Sequence, residues 1–108
     1  MTQETSPPKP YKIHAVVFTE GPWCVAQCLE YDIATRARSM SELYSEIERI
    51  IAAHIVLAQQ EGQEPFVNIP QAPKRFWQMY KDANLKVRPV RAEASVVPSP
   101  VSVEVRAA

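Results

Sequence analysis

His14, His54, Cys24 and Cys28, together with the sheet-bordering carboxylates Glu20, Glu30, Asp32 and Glu42, are candidates for acid–base, nucleophilic or metal chemistry. Their spacing argues against each. Cys24 and Cys28 do not have zinc-knuckle spacing, and no second pair completes a metal site. On one strand they would share a face about 13 Å apart at ~3.3 Å per residue, too far to bridge. Both are therefore expected as reduced packing residues. His54 falls on the apolar stripe of a helix and reads as an interior histidine. A Cys–His pair across a hairpin is open to His14, but a small open sheet supplies neither cleft nor oxyanion hole. Acids ringing a sheet edge can hold magnesium for nuclease chemistry, yet turn and cap positions account for all four. Gly21 and Gly62 are the only glycines, too few for a phosphate-cradling loop. The expectation is a non-enzyme with no catalytic residue, cofactor or metal.

Two groups have the chemistry of contact rather than catalysis. Arg36 and Arg38 project from one face of a short strand, where with Lys12 they would meet phosphate or an acidic partner. Phe76, Trp77 and Tyr80, flanked by Lys74, Arg75 and Lys81, form an aromatic–basic cluster. Such clusters can stack nucleotides, although aromatics at helical spacing more commonly dock a helix onto its own core or a twin subunit. Trp23, Arg36, Arg38, Phe76, Trp77 and Tyr80 are the candidate partner-contact residues.

The elements that must position them follow from periodicity. Lys12 to Thr19 is β-branched and aromatic in strand fashion. Gly21 and Pro22 mark a turn, and Trp23 to Leu29 returns as the second strand of a hairpin. Ile33 to Arg38 alternates as a third strand. Ser39-Met40-Ser41-Glu42 is a capping box, opening a helix to about Gln60 whose stripe is Leu43, Ile47, Ile50, Ile51, His54 and Ala58. Pro73 suits the start of a short helix over 74–83. Residues 85–91 read as a strand or an extended linker, and Val101 to Arg106 as a further strand at an edge. The fold class is α+β: a three- to four-stranded, mainly antiparallel sheet in β-β-β-α order, then a short helix and a C-terminal strand, with the long helix on one face. The organisation is an N-terminal arm at 1–10 expected to be disordered, a domain at 11–66, a loop and aromatic helix at 67–84, and an extended tail at 85–108.

Bulk composition narrows the class. The chain has 108 residues, a single-domain length, and its twelve basic residues balance twelve acidic ones. No global field draws it to nucleic acid or anionic lipid. No apolar run approaches the roughly 20 residues of a membrane span, and the proline-rich N-terminus is not a signal peptide. A cytoplasmic location is expected.

The segments "YKIHAVVFTEG", "WCVAQCLEYDI", "ATRAR", "SMSELYSEIERIIAAHI" and "QEGQEPF" together resemble the HicB-type antitoxin domain. The likeness covers residues 11–66 and extends to "VSVEVR". It rests on element order, the capped helix opening and a Gly-x-x-Pro helix exit. It implies a trimmed ribonuclease-H-like fold that acts without catalysis, covering the active site of a small RNA-cleaving toxin of the HicA type. Residues 67–108 show no paired helices suited to a major groove, so this looks like a stand-alone member without a DNA-binding element. Homo-oligomerisation, as dimer or tetramer, is expected from its open sheet edges. A small RNA-binding or orphan regulatory protein is the alternative.

Overall fold

The computed structural model describes residues 11–87, 89–92 and 101–108. The expected arm at 1–10 lies outside them. The elements are β1 (Tyr11–Glu20), β2 (Trp23–Cys28), β3 (Ala34–Ala37), α1 (Met40–Gln60), α2 (Lys74–Asp82), β4 (Leu85–Lys86), β5 (Val90–Ala92) and β6 (Val101–Ala107).

The hairpin and third strand form as the sequence predicts. Gly21, at φ +58°, takes the left-handed turn between β1 and β2, which pair antiparallel from Glu20↔Trp23 to Ala15↔Cys28. β3 continues the meander against β2. Ser39 caps α1: its hydroxyl accepts the Glu42 amide at 3.2 Å. Leu43, Ile47, Ile51, Ile55 and Ala58 bury one side of α1 against Ile13, Ala15, Val17, Ala26, Cys28, Val101, Val103 and Val105. Ile55 takes the inward position assigned from sequence to His54. One residue earlier on the helix, His54 sits half-buried at the margin, its ring 6.2 Å from Phe66.

The α+β class and the helix-covered face stand, but the sheet is wider and mixed. Its order is β3-β2-β1-β6-β4, with β5 also on β6. The last strand is not an edge. β6 lies inside the sheet, parallel to β1 from Tyr11↔Val101 to Val17↔Ala107, with β4 and β5 antiparallel on its far side. Its alternation explains why: Val101, Val103 and Val105 are all buried on the α1 side, a demand that an edge position would meet less well. Between β4 and β5 the chain advances four residues (86 to 90) while β6 advances three (106 to 103). This one-residue offset puts the two positions on opposite faces, so that Lys86 points away from α1 while Val90 enters the core, 5% exposed.

The second face of the sheet is partly covered. After α1 the chain passes from one face to the other around the end of β2. On the way Phe66, a non-glycine residue at φ 65°, stacks on Tyr31 at 4.5 Å. Asp32 N–H then donates to Pro70 O and Ala72 N–H to Leu29 O. α2 follows on the second face, starting at Lys74 as expected with Pro73 as its N-cap, and Val16 and Leu29 are buried there.

Candidate functional site

Strand parity separates the chemically capable residues. Cys24 and Cys28 face α1, Cys24 half-exposed and Cys28 buried, and both thiols are free. His14 points to the other face, because it is Ala15 that pairs with Cys28. A Cys–His pair across the hairpin is thus excluded by register. The Cys28 thiol is pushed up to about 12, first by burial and then by the Glu30 charge, the opposite of what a nucleophilic cysteine requires.

His14 has a different partner, not foreseen from sequence. Glu30 grips it twice, accepting the His14 backbone N–H at 2.8 Å and meeting its Nδ1 at 2.5 Å. This occurs where β2 leaves β1, so a carboxylate replaces the strand in satisfying an otherwise orphaned donor. The ring also meets Tyr80 edge-on, centroids 5.5 Å apart. Asp32 accepts the Gln27 amide at 2.8 Å, and Glu42 occupies the first turn of α1. Glu30 and Asp32 are thus engaged locally, and no group of three or more His, Cys, Asp or Glu positioned for a metal occurs among the described residues.

The candidate contact residues fall into two sets on the second face. At the β3 edge, the Trp23 ring carries two guanidinium groups, Arg36 at 4.3 Å and Arg38 at 4.8 Å from its centroid. The cause is register: Arg36 pairs with Val25 on β2, two residues from Trp23, so both side chains lie on the outer face. Lys12 is not part of this set. It lies six residues along β1 from Phe18, the partner of Val25, at least about 20 Å away at ~3.3 Å per residue.

The second set is α2. Phe76 stacks on Phe18 at 5.9 Å and Tyr80 on His14, so these two aromatics hold the helix to its own sheet. Arg75 lies over the Phe76 ring at 4.5 Å. Trp77, on the neighbouring stripe, instead lines a cleft of about 470 Å³ with Lys74, Gln78, Tyr80, Lys81 and Arg106. Arg106 was not a candidate from sequence. Its place on the polar side of "VSVEVR" was legible, but its neighbours across the sheet were not.

These features define a small α+β sheet protein with one face closed by a long helix and the other half-covered and rich in arginine–aromatic contacts. Comparison with family models, with curated proteins and with solved structures finds no match to the chain. No helix among the described residues is long and apolar enough to cross a membrane.

Proposed function

We propose that this chain is a non-catalytic, cytoplasmic interaction module that binds a protein partner through the β3 edge, the partner being a small RNA-cleaving toxin of the HicA type. The observation that carries the reading is the contact of Arg36 and Arg38 with the Trp23 ring beside the edge strand β3. Tryptophan and arginine are the residue types that dominate binding energy at protein interfaces. Here cation–π contact holds both arginines in place before binding, which lowers the ordering cost of association. The edge backbone beside them offers hydrogen-bonding groups to an added strand.

The meander, capped helix and returning strand follow the element order of the HicB-type resemblance and support the choice of partner. Two free cysteines suit a reducing compartment. Self-association through the same edge belongs to this reading.

The test is co-expression with a HicA-type toxin, followed by size-exclusion chromatography and an RNA-cleavage assay. A stable complex with suppressed cleavage is expected, weakened by about 2 kcal/mol or more in Trp23→Ala. Separate elution with undiminished cleavage overturns the partner assignment.

A further inference from the structure

The α2–β6 cleft stands apart from the β3 edge, and its charges are arranged at a cost. Lys74, Trp77, Gln78 and Lys81 lie at helical spacing along one stripe of α2, next to the stripe that Phe76 and Tyr80 dock onto the sheet. Arg106 rises from β6 beneath them. Its guanidinium lies 4.5 Å from the Tyr80 centroid, and its Nη1 donates to Tyr80 O at 3.4 Å. Directly across from Arg106 on β4 is Lys86, its register partner, so the two cations share the outer face. Like charges directly opposite on neighbouring strands are destabilising. The pairing with Arg106 sets Lys86 on that face, and the one-residue offset between the β4 and β5 registers turns Val90 into the core.

Lys74, Lys81 and Arg106 thus line an aromatic cleft, with Lys86 opposite Arg106 on the neighbouring strand, in a chain whose formal net charge is zero. Two carboxylates lie nearby: Asp82 accepts the Gln78 amide at 3.0 Å, and Glu104, two residues before Arg106 on the same face of β6, is the register partner of His14. At about 470 Å³ the cleft falls within the size range of small-ligand sites. Half-buried Trp77 supplies a flat apolar wall.

We propose that this cleft binds a nucleoside phosphate, its base stacked on Trp77 and its phosphate held among Lys81, Lys86 and Arg106. The aromatic wall selects a planar group. The cations select an anion, and one placed between Lys86 and Arg106 converts their repulsion into shared attraction. Neither apolar nor cationic ligands satisfy both halves of the site. A free nucleotide and a residue of single-stranded RNA present the same chemistry, and experiment separates them. The site does not use Trp23, Arg36 or Arg38, so it stands or falls independently of the β3 edge.

Trp23→Phe leaves Trp77 as the sole tryptophan, and its fluorescence at low salt reports binding of two probes, ADP and a hexaadenylate RNA. Saturable quenching is expected, weakened by about tenfold in Lys81→Gln and again in Lys86→Gln. Quenching by ADP identifies a free-nucleotide site; quenching by the hexamer alone, with affinity falling steeply with salt, identifies single-stranded RNA. The indole N–H resonance of Trp77 in the unsubstituted chain gives the same readout should Trp23→Phe perturb folding. Failure of both probes to shift either signal overturns the proposal, as does binding unchanged in the Lys81→Gln, Lys86→Gln double variant.

Discussion

At the residue scale, several polar side chains hold backbone and neighbours in place. Glu30 replaces a strand for His14, Asp32 fixes Gln27, and Ser39 caps α1. Cys28 shows the electrostatic consequence of the thin core most directly. Its neutral thiol is compatible with burial and its thiolate is not, so the folded chain holds the proton up to about 12, against 9.0 for an unperturbed thiol. Below the unfolded value both states keep the proton and stability is unaffected. Above it only the unfolded chain ionises, so stability is lost progressively as pH rises from about 9 towards 12, by about 4 kcal/mol across the window. Urea denaturation at pH 8 and pH 10 is expected to show a steeper alkaline loss for the native sequence than for Cys28→Ala. A thiol reagent at pH 8 should label Cys24 in the folded chain and both cysteines in urea. Equal alkaline slopes, or prompt labelling of both thiols in the folded chain, would contradict the buried assignment.

At the element scale, α1 and α2 are attached in different ways. α1 buries five residues, and its first turn is capped. α2 has no fully buried residue and is pinned by two ring contacts four residues apart, Phe76 on Phe18 and Tyr80 on His14. Fewer buried contacts mean a lower free energy of local opening. Amides of residues 76–82 are therefore expected to exchange with solvent faster than those at the centre of α1, and Phe76→Ala should accelerate the former while leaving the latter unchanged. Uniform exchange across both helices would show that α2 opens only with the whole fold. Local signals made both helices legible in the sequence. Ser39 and Glu42 marked one start, Pro73 the other, and periodicity gave the stripe within one position, exchanging His54 for Ile55. The face on which α2 lands was not legible, since Phe76 and Tyr80 are equally suited to a twin subunit until the register of His14 and Phe18 is known.

At the scale of the whole molecule, the sheet is closed by its most distant pairing. Tyr11 and Val101 are register partners 90 residues apart (101 − 11), and nothing local in "VSVEVR" announces that β6 enters between β1 and the β4–β5 side. The antiparallel meander was legible because a turn fixes its register; a parallel pairing has no turn to read. Energetically this strand is central. Val101, Val103 and Val105 are each at most 3% exposed, and burying three valines at about 1.5–3 kcal/mol apiece contributes about 4.5–9 kcal/mol, comparable with the roughly 5–15 kcal/mol that keeps a typical domain folded. Removing β6 also strips β1 of a ladder partner and leaves β4 and β5 with none, while exposing the α1 side of Ile13 and Ala15. A chain ending at Pro100 is expected to lose its cooperative thermal transition, followed by circular dichroism. Because so long a loop must close before β1 and β6 reward each other, the intact chain should refold in the millisecond-to-second range of non-local folds, measurable by stopped-flow Trp23 and Trp77 fluorescence. A truncated chain that still melts cooperatively near the intact one's temperature would mean that the hairpin, β3 and α1 form a self-sufficient core and that β6 is added to it afterwards.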